Sequence, residues 1–333
     1  MGKTSRADSD NCRPKIETVP ACSISPAIPL EQFVASSKRV AKGSARALRP
    51  LHLWHLASLD APTVAVVWTF SFAWAAHLAL PASIAALTGL TVWSVYVGDR
   101  LLDVRKALAS AQLGTLRERH FFHWRNRLWL IPAAVAAAAA AAWLFFARLP
   151  SGWLSPDAAV GAASMGYFAR VHAGGRFSFR ARHLRVPGIT KELLVGVLFG
   201  AGCALPAWSL GWHTLTWCGP AAFFAALAWL NCFAIDKWES QDQRRSAQGA
   251  QSGTGSNQTG SICGIALALA ASGACMAIRF CIAEPRLAAL CATGATAALL
   301  LASLERVRGR MNPTTLRALA DLVMLTPLGL LLR

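Results

Sequence analysis

The chain reads as an all-α, polytopic membrane protein, a bundle of nine transmembrane helices. Two observations predict this. Of 333 residues, 55% are hydrophobic and only 15% are charged, and the mean hydropathy is +0.41. The apolar residues also gather into separate runs of roughly 18 to 20, the length that crosses a bilayer. A formal charge of +17 in a soluble protein would suggest nucleic-acid binding. Here Lys and Arg lie between the apolar runs and act as topology determinants, so no nucleic-acid partner is expected.

Residues 1–50 mix Ser, Pro, Lys and Arg with no apolar core. They are expected to form a disordered, basic cytoplasmic tail, neither signal peptide nor span. Residues 51–333 are the membrane domain. LRPLHLWHLASLDAP leads into a first span at about 56–78, with Trp54 and Trp74 at interfacial levels. Pro81 marks a tight return into a second span at about 82–98, followed by a basic, partly amphipathic segment, RKALASAQLGTLRERHFFHWRNR. This segment is expected at the membrane interface, with His120 and His123 as part of an interfacial helix.

The third span, about 128–147, is rich in alanine, which lets neighbouring helices approach closely. A link through Pro150 and Pro156 leads to a fourth span at about 157–170. HAGGRFSFRARHLRVPG is too polar to span, and the fifth span, about 190–209, carries Gly196, Gly200 and Gly202 as a small-residue face. The sixth, about 219–236, precedes a Gly/Ser/Gln stretch whose residues 246–261 read as a flexible cytoplasmic loop. Runs at about 262–282, 287–304 and 316–332 complete the nine. The nine cysteines show no CxxC pair and read as small apolar fillers.

Charge sets the orientation. Of the 33 Lys and Arg, 29 fall in five regions (1–50, 99–127, 170–191, 237–261 and 305–317) that share one side of a nine-span topology. The positive-inside rule makes that side cytoplasmic. The expected location is a bacterial cytoplasmic membrane, with the N-terminus and the site described next on the cytoplasmic side.

VWSVYVGDRLLDVRK, at the end of the second span, carries Asp99 and Asp103 one turn apart on one helix face. The sixth span ends in Asp236, Glu239 and Asp242. Carboxylates against a bilayer are costly and need a counterion or a function. Both clusters fall on the same side, where facing carboxylates bordered by Arg and Lys suit Mg²⁺ and leave coordination positions for phosphate oxygens. A diphosphate ester with a lipid tail in the apolar lumen is the natural ligand. Trp93 and Tyr96 place two aromatic side chains on the same apolar run, one to two turns before Asp99.

GDRLLD (98–103), IDKWES (235–240) and KELLVGVLFGAGCALP (191–206) together resemble the UbiA superfamily of intramembrane prenyltransferases, over most of residues 50–332. The Gly196, Phe199 and Gly200 signature and the Tyr-Phe-Ala-Arg sequence ending at Arg170 add to the likeness. The resemblance implies nine transmembrane helices, Mg²⁺ as cofactor, an isoprenyl diphosphate and a lipophilic, aromatic or quinone-type acceptor as substrates, and a surrounding of membrane lipids. It implies that Asp99, Asp103, Asp236 and Glu239 carry the metal. Arg100, Lys106, Arg170 and Lys191 would clamp the diphosphate, and Asn231 would add a polar group deeper in the lumen. The first motif departs from the family's Asn-Asp-x-x-Asp-x-x-x-Asp, with Val95 and Tyr96 at its first two places. Three readings stay open: prenyl transfer, cyclisation of the same cation on itself, and non-catalytic binding of a polyprenyl lipid.

Overall fold

The structure, a computed structural model, describes residues 49–109, 116–148, 158–166, 191–210, 215–248 and 259–332. Among these residues it is helical throughout, with no strand. Five helices are long and apolar enough to cross a membrane, six if one bent pair counts as a single span. That number of apolar helices fits an integral membrane protein. Of the expected fourth span, only 158–166 is described, and it is helical.

The first span is not one straight helix. Helix α1 (Arg49–Leu56) meets α2 (Asp60–Ala75) at 92°. Pro62 supplies the reason: its ring would clash with the carbonyl four residues back and it has no N–H to donate, so the helix cannot run unbroken through Ser58. Ser58 takes a left-handed conformation, φ 54°, at the corner. At the other end of α2, His77 N–H donates to the Trp74 carbonyl and Leu78 N–H to the Ala73 carbonyl, at 3.1 and 2.9 Å. This is a Schellman stop, with His77 left-handed at φ 58°.

Helix α3 (Ala82–Ala109) runs 28 residues and is less apolar than the five spans. It continues past the expected end at residue 98, so Asp99 and Asp103 stand on helix, not at its terminus. Helix α4 (Glu118–Arg125) is short, and α5 (Arg127–Arg148) follows directly. The alanine-rich α5 buries only Ala137 and Ala141 and exposes Leu128, Trp129, Trp143 and Phe146, as a lipid-facing helix does.

Helices α6 (Lys191–Ser209) and α7 (Cys218–Gln248) approach closely. A Cβ on Gly196 would lie 2.7 Å from the Trp229 nitrogen, and one on Gly200 2.7 Å from Ala225 Cβ, whereas one on Gly202 would meet nothing within 4 Å. Two of the three expected glycines therefore make the packing face. Helix α8 (Thr259–Phe280) pairs with α9 (Pro285–Val307), and the Phe223 ring of α7 lodges at Gly273 and Gly294. The helical ends of α7 and α8 take in 246–248 and 259–261 of the expected loop; 249–258 lie outside the described residues.

The expected ninth span is broken as well. Helix α10 (Pro313–Val323) stops, and a short α11 (Leu328–Leu331) follows Pro327, whose missing N–H interrupts the ladder. The central core stacks Trp68 on Phe224 at 3.9 Å between ring centroids, with the Trp68 indole N–H donating to the Met324 carbonyl at 2.8 Å. At the α2 end away from Asp60, Arg286 bonds the Trp74 carbonyl at 3.1 Å and lies over its ring. Polar side chains of several helices gather at the opposite end, beside Asp60.

Candidate functional site

Helix α4 organises that polar end. Its start is held by Glu118, whose two oxygens face His52 of α1 at 3.0 Å and Thr314 of α10 at 3.2 Å. The Arg117 N–H donates to His120 Nδ1 at 3.0 Å, which leaves His120 Nε2 pointed at Asp103 Oδ2, 3.6 Å away. His123 Nδ1 donates to the Arg119 carbonyl at 2.8 Å, and its Nε2 accepts from the Ser58 hydroxyl at 3.4 Å. Both rings are buried, 5% and 0% exposed, while Phe121, Phe122 and Trp124 are half-buried. The imidazoles are the more deeply buried because each finds a polar partner there, while Phe121 and Trp124 pack against Val104, Ala107 and Leu116.

Burial pulls His120 down to about 4, against the pull of Asp103, and takes His123 to about 4 as well. Both are neutral at pH 7. Arg119 is lowered to about 10, mainly by burial and then by repulsion from Arg100; it keeps its charge.

The acidic residues of α3 and α7 both contact this segment or the cations beside it. Asp99 Oδ2 pairs with Arg100 Nη1 at 2.9 Å, and the Arg100 guanidinium lies over the Tyr96 ring at 5.6 Å. Arg100 Nε is buried without a hydrogen-bond partner. Trp93 donates to the Ala57 carbonyl at 3.0 Å, tying α3 to the corner between α1 and α2. Asp236 is half exposed and 3.7 Å from the ammonium of Lys191.

Glu239 is in a different situation from the three aspartates. Arg117 Nε and Arg119 Nη1 lie 3.7 and 3.5 Å from its carboxylate, and Arg317 of α10 contacts it directly. Arg117 also donates to the Glu239 carbonyl at 3.2 Å. Three guanidiniums thus surround a residue that the sequence placed among the metal ligands. Lys106 is exposed in the last turn of α3, and Arg170 lies outside the described residues.

Asn231 is found elsewhere, one layer deeper. Its amide N–H donates to Asp321 Oδ1 at 2.9 Å. Asp321 in turn lies 3.7 Å from His55 Nδ1, which is 2.7 Å from Asp60 Oδ2. Among the described residues, His55, Asp60 and Asp321 are the one set of three His, Cys, Asp or Glu side chains whose ligand atoms all fall within 4.8 Å of one another. Asp99, Asp103, Asp236 and Glu239 do not form such a set. Sequence reasoning missed this trio. A lone carboxylate in the apolar run around Asp321, and an Asp two residues before Pro62 at Asp60, were the available signals.

The chain matches no protein-family model, no curated protein and no solved structure.

Proposed function

We propose that this protein is a Mg²⁺-dependent intramembrane transferase that moves an isoprenyl group from its diphosphate to a lipophilic, aromatic or quinone-type acceptor. One observation carries the reading. Helix α4 and the residue before it touch both acidic segments, His120 at Asp103 and Arg117 and Arg119 at Glu239, which brings carboxylates of α3 and α7 to one cation-rich end of an apolar bundle. The nine-helix architecture, the UbiA-type kinship and a cytoplasmic site belong to the same proposal.

Asp99, Asp103 and Asp236 offer hard carboxylate oxygens of the kind Mg²⁺ takes, and they are the residues that would hold it, although their ligand atoms do not all lie within 4.8 Å of one another in this structure. Mg²⁺ would supply charge compensation for the departing diphosphate. Glu239 instead arrays Arg117, Arg119 and Arg317. Arg100 and Lys191 flank the aspartates and contribute N–H donors to phosphate oxygens. Tyr96, next to Arg100, presents an aromatic face to the allylic group. The apolar helices hold the tail and exclude water from the cation until an acceptor reacts.

A second reading, binding of a polyprenyl lipid without turnover, draws on the Glu239 contacts, because a carboxylate already compensated by three arginines offers little to a metal. Cyclisation uses the same ionisation and differs only in product. The deciding experiment measures inorganic diphosphate released from a panel of isoprenyl diphosphates by the purified protein, with and without Mg²⁺ and with membrane extract as acceptor source. The expected result is metal-dependent release that Asp99→Ala and Asp236→Ala abolish. Unchanged rates in either variant would overturn the site. Binding of a diphosphate analogue with no release would favour the lipid binder, and the product mass separates transfer from cyclisation.

A further inference from the structure

The corner between α1 and α2 returns His55 onto Asp60, and α10 brings Asp321 against both. The three ligand atoms fit around one ion: His55 Nδ1 is 2.7 Å from Asp60 Oδ2 and 3.7 Å from Asp321 Oδ2, and all lie within 4.8 Å of one another. His55 and Asp60 are 4% and 6% exposed. Among the described residues no Lys or Arg pairs with Asp60 or Asp321, so two carboxylates are buried together with one imidazole and no fixed cation in contact. Such an arrangement is costly unless a proton or a metal compensates it.

A second observation points to a ligand. Asn231 is 8% exposed, and its amide stands against Asp321, yet its carbonyl oxygen has no hydrogen-bond partner. A buried acceptor left unmade in this way bears its desolvation cost with no hydrogen bond to offset it. A cation beside Asp321 would use it, while the amide N–H continues to orient the carboxylate from outside.

We infer that His55, Asp60 and Asp321, with the Asn231 oxygen as fourth donor, form a binding site for a divalent first-row transition metal. One imidazole with three oxygens suits Zn²⁺, Mn²⁺ or Fe²⁺ better than Mg²⁺, which prefers oxygen alone. The ion takes the place of the proton between His55 and Asp60. Four helices, α1, α2, α7 and α10, each contribute one ligand, so the ion ties the bent first span to the last part of the chain. This site uses none of the carboxylates assigned to Mg²⁺ above and does not depend on that assignment.

The test uses the full chain in detergent, stripped with chelator and titrated with Mn²⁺ alone, without diphosphate. Bound equivalents and pulsed electron paramagnetic resonance are the readouts. In an Asp99→Asn, Asp236→Asn double variant, one equivalent is expected to remain and to show ¹⁴N coupling from a single imidazole. His55→Gln is expected to lose the coupling, and Asp321→Asn to weaken binding at least tenfold. If either variant fails to fold, the coupling in the double variant still decides. Binding that disappears with Asp99 and Asp236, an oxygen-only signal, or no stoichiometric Mn²⁺ would each overturn the inference. None of these results depends on whether diphosphate is released.

Discussion

Arg119 Nη1 lies 3.5 Å from Glu239 Oε1, joining a short helix between the second and third expected spans to the extension of the sixth. Arg117 and Arg317 converge on the same carboxylate. Removing that charge leaves three guanidiniums facing one another with no anion among them. Glu239→Gln is therefore expected to destabilise the protein by about 2 kcal/mol, below the ~3–5 kcal/mol of a fully buried pair because the carboxylate keeps some access to water. Thermal unfolding in detergent would check this; an unchanged midpoint would mean that solvent already screens the cluster.

Stability should fall on acidification through a window set by His120 and His123. Each is pulled by burial to about 4 in the folded protein, while an unfolded histidine titrates near ~6.5. The folded state then binds fewer protons than the unfolded state between those values. The stabilisation is complete above about pH 6.5 and is lost as pH falls toward about 4, on the order of 3 kcal/mol per histidine. His123→Gln should flatten the dependence measured by unfolding midpoints between pH 7.5 and 4.5. An equally steep slope in that variant would place the titrating group elsewhere.

The contact between α6 and α7 allows a controlled comparison among three glycines of one helix. Gly196→Ala and Gly200→Ala each put a methyl group 2.7 Å from α7, whereas Gly202→Ala meets nothing within 4 Å. The first two should cost about 1–3 kcal/mol through forced backbone displacement. The third should be neutral or slightly stabilising, since alanine favours helix. Equal midpoints for all three would show that the two helices separate freely.

The apolar runs announced most of the helices because a stretch of such residues has little alternative in or beside a bilayer. The expected third, fifth, sixth, seventh and eighth spans recur as α5, α6, α7, α8 and α9 with ends shifted by a few residues, or by a dozen where α7 runs on past the bilayer-length segment. The first and ninth did not appear as single helices. Pro62 and Pro327 break them, and hydropathy averaged over a window does not register a missing N–H. In the polar region, Asp99 pairs with the neighbouring Arg100 and Asp236 with Lys191 of the next helix back, charges that stand out in the sequence. The arginines around Glu239 read in sequence only as topology charges.

Sequence by itself determined that the chain is helical and apolar, and that its carboxylates stand out as rare charges in hydrophobic surroundings. Those properties follow from local composition and period. Tertiary structure decided which charges meet. His55 and Asp321 come from opposite ends of the described chain, and only a 92° corner and the docking of α10 bring their ligand atoms together. Docking of α10 rests on core contacts such as Leu316 and Ala320 and on the Trp68 hydrogen bond to the Met324 carbonyl. Pairing between distant residues depends on such contacts across the bundle, and no property of either segment alone contains it.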